Sequence, residues 1–257
     1  MAKIICVANQ KGGVGKTTTA VNLSASLAVA ERRVLLVDMD PQGNAGSGVG
    51  ADKDVLEESI YDALINDAPA SRIVLKTELP YLQLFPATSD LAGAELELVS
   101  VTDRERKLKR ILSSLSDSYD YIFIDCPPSL NLLTINAMTA AHSVLIPLQC
   151  EFYAMEGLSQ ILKTINLIQQ GLNRSLAIEG ILLTMFDARN NLSRQVGEEI
   201  RTHFPKETLQ TVIPRNVRLS EAPSHGKPIC LYDITSKGAT SYMELAKEII
   251  GREVSHG

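Results

Sequence analysis

The sequence predicts one α/β domain over residues 1–257, built on a doubly wound, mostly parallel sheet flanked by helices. Most strand candidates are short Ile, Val and Leu runs without polar alternation, which is typical of strands covered on both faces. Strand and helix patterns alternate along the chain, and this order favours right-handed crossovers. A 45% hydrophobic content supplies a full core. No linker, low-complexity tract or internal repeat divides the chain.

Seven aliphatic runs are expected to form strands, at residues 4–8, 34–38, 82–86, 121–125, 144–148, 178–184 and 210–214. Helical patterns lie between them, near residues 16–30, 59–66, 103–117, 130–142, 155–171, 190–204 and 238–250. Thr102 and Glu105 have the spacing of a capping box, which predicts a helix start before the basic segment 104–110.

Composition excludes several classes of protein. The four cysteines form no C-x-x-C pair, so we expect buried thiols in a reducing compartment. No apolar stretch reaches the roughly 18 residues of a membrane span. The first strand pattern begins directly after Lys3, so we expect neither a signal peptide nor an N-terminal DNA-binding module. The absence of Trp makes base-stacking platforms improbable, and the net charge of −5, taken alone, argues weakly against nucleic acid.

A glycine-rich turn joins the first strand to the first helix, with the sequence Asn9-Gln10-Lys11-Gly12-Gly13-Val14-Gly15-Lys16-Thr17-Thr18. Glycines at 12, 13 and 15 allow backbone N–H groups to converge on phosphate oxygens, and the helix directs its positive end at the same anion. We expect Lys16 to bridge the β- and γ-phosphates and Thr17 to offer a hydroxyl to Mg²⁺. This context predicts a fold of the P-loop NTPase type.

The loop departs from the usual pattern at two positions. Gln10 occupies the place of the first glycine of G-x-x-x-x-G-K-[ST], and Lys11 adds a second cation. Two lysines this close repel each other unless an anion lies between them. A triphosphate, of this subunit or of a neighbouring one, is the expected partner of Lys11.

Two further strands end in carboxylates. Asp38 and Asp40 close the second strand, and Asp125 closes the strand at 121–125. Ligands of open α/β sheets lie beyond the carboxyl ends of the strands, so we expect these carboxylates around the phosphate loop.

The chain resembles the ParA/MinD family of deviant Walker A ATPases, and most closely its chromosomal ParA (Soj) branch. Four motifs carry the resemblance across most of the chain: K-G-G-V-G-K-T-T at 11–18, D-M-D-P-Q-G-N at 38–44, F-I-D-C-P-P-S at 123–129 and P-R-N-V-R-L-S-E-A-P-S at 214–224.

The resemblance implies ATP and Mg²⁺ as cofactors and a role for each matched residue. Lys11 is the lysine that reaches the phosphates of the other subunit in a nucleotide-sandwich homodimer, and Asp125 reaches Mg²⁺, usually through water. Asp40 in the switch segment positions the attacking water, while Asp38 orients the switch or pairs with a lysine. The adenine is expected near Met185, Pro214 and Asn216, with Asp187 as a weaker candidate.

The same resemblance implies that ATP dimers bind double-stranded DNA without sequence preference and that a ParB-like protein stimulates their slow hydrolysis. Charge is unevenly distributed: residues 52–67 carry a net −5, and residues 189–227 carry +3. Arg189 and Arg218 are the expected DNA contacts, Lys227 is a weaker one, and Arg215 is expected to face either DNA or nucleotide. The basic segment 104–110 is a second candidate surface.

Three alternatives remain open at this point. A MinD-like ATPase would act at a membrane, but the tail at 251–257 lacks the apolar and basic bulk of an amphipathic anchor. An iron–sulfur relative would need cysteine contexts that Cys126, followed by two prolines, does not resemble. A cargo-positioning relative on a scaffold shares the ATPase core and is poorly separated by sequence. The interpretation as a DNA-partitioning ATPase predicts a cytoplasmic, nucleoid-associated protein that does not bind membranes.

Overall fold

Eight strands form a single sheet in the computed structural model, which describes residues 1–254. Their spatial order is β3-β4-β2-β5-β1-β6-β7-β8, and every neighbouring pair is parallel except β3–β4. The strands are β1 Lys3–Val7, β2 Val34–Asp38, β3 Leu75–Lys76, β4 Leu82–Phe85, β5 Tyr121–Asp125, β6 Ser143–Gln149, β7 Ala177–Phe186 and β8 Thr208–Pro214. The predicted fold class is therefore confirmed, with the phosphate loop on a central strand.

Helices cover both faces of the sheet. The α-helices are α1 Lys16–Val29, α2 Asn44–Gly48, α3 Ile60–Ile65, α4 Ala70–Ile73, α5 Leu91–Glu97, α6 Lys107–Ser113, α7 Leu132–Ala140, α8 Ala154–Gly171, α9 Asn191–His203, α10 Val217–Glu221, α11 Ile229–Tyr232 and α12 Lys237–Val254. Short 3₁₀ turns lie at Lys53–Val55, Leu98–Ser100, Arg104–Arg106, Ser116–Ser118 and Ala222–His225.

The sheet separates two hydrophobic layers, because successive strand residues point to opposite faces. On β1, Ile4 and Cys6 pack into one layer with α7 and α8, and Ile5 and Val7 pack into the other with α1 and α12. All five residues of β2 and of β5 are buried. The aliphatic runs that predicted double-sided burial thus form the centre of the sheet, and the four cysteines are buried thiols as expected.

All seven predicted strands are present, and β2 and β5 match to the residue. Two expectations were wrong. The segment 103–117 is not one helix, because two 3₁₀ turns flank the short α6. Thr102 and Glu105 form no capping box: Asp103 precedes the first turn with a φ of 61° and no side-chain cap, and Glu105 pairs with Arg104. The capping box lies instead at Ser59 and Asp62, before α3.

The C-terminal helix is longer than predicted. It continues through residues 251–254, which we expected to be part of a polar tail, and residues 255–257 of that tail lie outside the described residues. Within residues 1–254, no helix has both the length and the apolar character needed to cross a membrane.

The two candidate capping boxes allow a direct stability test. Ser59→Ala removes a cap whose hydroxyl accepts from the Tyr61 N–H, so we expect the free energy of unfolding to fall by about 1 kcal/mol. The matched change Thr102→Ala removes no cap and should alter it by less than about 0.5 kcal/mol. Urea denaturation of both variants measures the difference, and equal losses would contradict the assignment of the cap.

Candidate nucleotide-binding site

The phosphate loop is a left-handed turn between β1 and α1. Gly13 and Gly15 have φ values of 72° and 89°, a conformation that residues with a Cβ rarely adopt, and α1 begins at the next residue, Lys16. The hydroxyl of Thr184, near the end of β7, donates to the Val14 carbonyl at 2.8 Å and anchors the loop from the neighbouring part of the sheet. The free N–H groups at the start of α1 therefore face the space above the sheet, where an anion is favoured.

Lys16 is buried at the base of this loop, with only 7% of its surface exposed. Its Nζ donates to the carbonyl oxygen of Lys11 at 2.9 Å, which folds the side chain back along the loop. Burial lowers the pKa of Lys16, and the nearby carboxylates of Asp125 and Asp40 partly oppose this shift. A phosphate placed at the loop would favour the charged form of Lys16 in the same way.

Asp38 and Asp125 are register partners on the adjacent strands β2 and β5, and both are fully buried. Asp38 accepts hydrogen bonds from the backbone N–H groups of Asp40 and Gly46, at 3.1 and 3.0 Å. Desolvation nevertheless raises the pKa of Asp38 to about 7. Asp38 thus ties the end of β2 to the start of α2.

Asp125 is different, because neither of its oxygens has a hydrogen-bond partner of good geometry within the described part of the chain. Burial, followed by repulsion from Asp38, raises the pKa of Asp125, and the nearby Thr17 hydroxyl and Lys16 lower it only in part. An unpaired buried carboxylate is costly unless it is protonated or meets a cation. Asp125 and Thr17 are therefore suited to a divalent cation or its water shell.

Asp40 begins the segment that leads from β2 into α2. It is 7% exposed, and its Oδ1 accepts the N–H of Gln42 at 2.9 Å. Its backbone carbonyl also accepts the N–H of Gly43, which closes a tight turn. Asp40 lines the cavity described next.

A cavity of about 670 Å³ opens above the loop. Ten residues predicted for the site line it: Gly12, Gly13, Gly15, Lys16, Thr17, Thr18, Asp40, Met185, Pro214 and Asn216. Four other predicted residues, Lys11, Val14, Asp38 and Asp125, lie outside its wall. Val14 is a buried core residue, and Asp38 and Asp125 are beneath the site in the sheet. The cavity has the volume of a nucleotide-sized ligand site.

The far end of the cavity has the features of a base pocket. Met185 has a φ of 48°, a strained backbone for a residue with a side chain, and such strain is common at binding sites. The Oδ1 of Asn216 is buried without a hydrogen-bond partner among residues 1–254, so it can accept from an amino group. Arg215 lines the same cavity, which agrees with the nucleotide-facing alternative, whereas Asp187 pairs with Arg189.

Sequence reasoning did not name several of the lining residues, among them Thr184 and Tyr242. Thr184 could have been found from its position near the end of a strand beside the loop. Tyr242 lies on α12 and hydrogen-bonds with Thr19 across 3.2 Å, a contact between residues 223 positions apart that no local pattern indicates.

Lys11 turns away from the cavity. Its Nζ lies 2.9 Å from Oε2 of Glu151, a residue just after β6 that sequence reasoning also missed. The side chains of both partners are partly exposed, at 39% and 47%. The two lysines of the loop therefore point in different directions in the isolated chain.

The basic residues predicted to contact DNA are at the surface but carry acidic neighbours. Arg189 pairs with Asp187, Arg218 pairs with Glu221 at 2.9 Å, and Lys227 is 3.8 Å from Glu78. Arg189 and Arg218 follow the adjacent strands β7 and β8, so both lie at the carboxyl edge of the sheet.

The other basic surface, residues 104–110, is more strongly compensated. Arg106 and Arg110 both pair with Asp103, Lys107 pairs with Asp67, and Arg104 pairs with Glu105.

Two glycines allow the segment that follows α2 to approach the loop that leads to Lys227. Gly50 and Gly226 both have positive φ values, 89° and 62°. A Cβ built on Gly50 would lie 3.1 Å from the Gly226 carbonyl oxygen, and one built on Gly226 would lie 3.2 Å from the Gly50 Cα. The backbone after α2 therefore touches the backbone that leads to Lys227.

The sheet order, the left-handed loop and the cavity together define a P-loop nucleotide-binding protein. A family model described as AAA domain matches residues 2–178. The chain is 62% identical over 253 residues to the chromosome partitioning protein ParA of Myxococcus xanthus (strain DK1622), covering 98% of this chain and 89% of the relative. It is 60% identical over 249 residues to the sporulation initiation inhibitor protein Soj of Bacillus subtilis (strain 168), covering 97% and 98%. The chain belongs to the ParA/Soj family of chromosome partitioning ATPases, as its motifs predicted.

Solved structures agree with this fold. Cobyrinic acid a,c-diamide synthase from Mycobacterium smegmatis, with bound ATP analog and magnesium, superposes with a TM-score of 0.88 at 40% sequence identity. The match covers 100% of this chain and 98% of that one. A structure of this fold therefore holds a nucleotide and magnesium together.

The pKa of Asp38 predicts a pH dependence of stability. The folded chain holds a proton on Asp38 up to about pH 7, whereas the unfolded chain releases it near pH 4. The free energy of unfolding should therefore fall as the pH rises through this range. Asp38→Asn removes this contribution, so its stability relative to the parent should rise between about pH 5 and about pH 8.

Urea denaturation across that pH range measures the effect. Asp54→Asn at an exposed position is the control, and its difference from the parent should stay constant. A constant difference for Asp38→Asn as well would contradict the raised pKa.

Proposed function

We propose that this chain is an ATP hydrolase of DNA segregation. It dimerises on binding ATP, the dimer binds double-stranded DNA without sequence preference, and slow hydrolysis stimulated by a ParB-like protein releases it. The observation that most strongly supports this proposal is the pair of lysines on one loop. Lys16 lines the cavity, whereas Lys11 lies outside its wall and pairs with Glu151. A lysine that cannot serve its own site in this conformation is available to a second copy.

ATP and Mg²⁺ fit the residues of the site. The glycine loop leaves room for phosphate oxygens, because a Cβ on Gly12 or Gly13 would meet nothing within 4 Å and the loop backbone is therefore open. Thr17 and the unpaired carboxylate of Asp125 would hold Mg²⁺ or its water shell. Asn216, with its free Oδ1, would accept from the adenine amino group, beside Met185 and Pro214.

Hydrolysis depends on positioning and charge neutralisation rather than on covalent chemistry by the protein. Mg²⁺, when bound, neutralises charge on the phosphate oxygens. Lys16 contributes the same charge from its own subunit, and Lys11 contributes it from the partner. Asp40, held by its own turn, orients the attacking water. A site that lacks the second lysine turns over slowly, so hydrolysis becomes tied to dimerisation.

DNA binding follows from where the arginines lie rather than from the net charge. Arg189 and Arg218, with Lys227 as a weaker contact, belong to the segment 189–227, which carries a net charge of +3. Their acidic neighbours keep the monomer's patch weak, and a dimer doubles the patch. Phosphate contacts of this type carry no sequence information and depend strongly on salt. A nucleoid-associated protein of the cytoplasm is the expected result.

Lys11→Ala tests the proposal directly. We expect the ATP-dependent dimer to be lost while the monomer still binds ATP, because Lys11 lies outside the cavity wall. Analytical ultracentrifugation with a non-hydrolysable ATP analogue measures the dimer, and a fluorescent analogue measures nucleotide affinity. Lys163→Ala, at an exposed position on α8, is the control and should dimerise as the parent does. Persistence of the dimer in Lys11→Ala would refute the role in trans.

Arg218→Glu tests the DNA surface. We expect at least about a tenfold loss of ATP-dependent affinity for unrelated DNA sequences and a shallower salt dependence, by about one unit of slope for each lost phosphate contact. Fluorescence anisotropy at several salt concentrations measures both. Arg33→Glu is a matched control: the side chain of Arg33 is 52% exposed against 54% for Arg218, and it also pairs with one acidic residue, Asp120. Equal losses for the two variants would show that overall charge, and not this surface, determines binding.

A further inference from the structure

The nucleotide site proposed above makes no use of the ion pair between Lys11 and Glu151. Lys11 Nζ and Glu151 Oε2 are 2.9 Å apart, and the second oxygen of Glu151 accepts a hydrogen bond from the Gln149 amide at the end of β6. β6 lies directly beside β1, so the loop after β6 runs alongside the phosphate loop. Glu151 is thus braced by its own strand and directed at Lys11.

The backbone of Lys11 is held on both sides. Its N–H donates to Oδ1 of Asn9 at 3.0 Å, and its carbonyl oxygen accepts from Lys16 Nζ at 2.9 Å. With the backbone fixed, only the side chain can change direction. Its position is therefore set by the competition between Glu151 and whatever other anion comes within reach.

We propose that Glu151 is a positioning residue that holds Lys11 within its own subunit until the triphosphate of a second copy replaces it. This inference rests on the proposed function, because it assigns Glu151 a part in the same dimerisation. In the monomer, Glu151 neutralises the second cation of the loop, which otherwise repels Lys16. In the dimer, Lys11 leaves Glu151 for a more highly charged partner.

The strength of the pair suits this exchange. An ion pair whose partners are each about half exposed is weak, corresponding to about a two- to fivefold change in an equilibrium. A triphosphate carries several charges and can displace a single carboxylate. Because two copies each release one pair, the effect on the dimer association constant is the square, about four- to twenty-fivefold. Glu151 therefore lowers the dimer association constant by this factor, and the charge of the triphosphate compensates for the loss of the two ion pairs.

The test is Glu151→Gln, which removes the charge and keeps the shape. We expect the dimer formed with a non-hydrolysable ATP analogue to become about four- to twenty-fivefold tighter at low salt, with a smaller gain at high salt. The affinity of the monomer for nucleotide should not change. Glu151→Asp should return the dimer constant towards that of the parent. Glu156→Gln, an exposed change on α8, is the control and should have no effect.

A second measurement detects the pair without dimerisation. NMR of lysine ammonium groups in the nucleotide-free protein should show a shifted Lys11 signal in Glu151→Gln, with the signal identified by its absence in Lys11→Ala. An unshifted Lys11 signal, or a dimer that is unchanged or weaker in Glu151→Gln, would overturn the inference. These outcomes differ from failure of the proposed function, in which Lys11→Ala itself would still dimerise.

Discussion

The structure depends on burying charge at the carboxyl edge of three adjacent strands. Lys16, Asp38 and Asp125 are each less than a tenth exposed, and a protein interior tolerates such groups only when they are compensated. Asp38 is compensated by two backbone N–H groups, and Lys16 by a backbone carbonyl. Asp125 has no hydrogen-bond partner among the described residues. A ligand that brought a cation near Asp125 and an anion near Lys16 would relieve this imbalance at both groups.

The sequence indicated the parts of the fold that depend on local chemistry or on uniform burial. The central strands β2 and β5 were placed to the residue because all their positions are apolar except a terminal aspartate. Segment 103–117 was misjudged because its charges have helical spacing, although they satisfy one another through Asp103 instead of continuing a helix. The two-residue strand β3 gives too short a pattern to detect.

The same division holds in the site. The loop glycines, Asp40, Pro214 and Asn216 were predicted because each belongs to a short motif, and all of them line the cavity. Glu151 and Tyr242 were not found, since they meet their partners across 140 and 223 positions of the chain. A carboxylate just after a strand is common in sequences. Only the pairing of β6 with β1 places Glu151 beside Lys11. The sequence also did not predict the directions of the two lysine side chains, since Lys11 and Lys16 belong to one loop but point to different partners.

The contact between Gly50 and Gly226 has a mechanical consequence. Most contacts between neighbouring segments are made by side chains, which absorb small displacements by changing rotamer. Here main chain meets main chain, with no side chain between them to adjust. A movement of the segment that carries Asp40 and α2 would therefore displace the loop of Lys227 directly. Two residues without side chains thus join the segment that lines the cavity to the loop that carries Lys227.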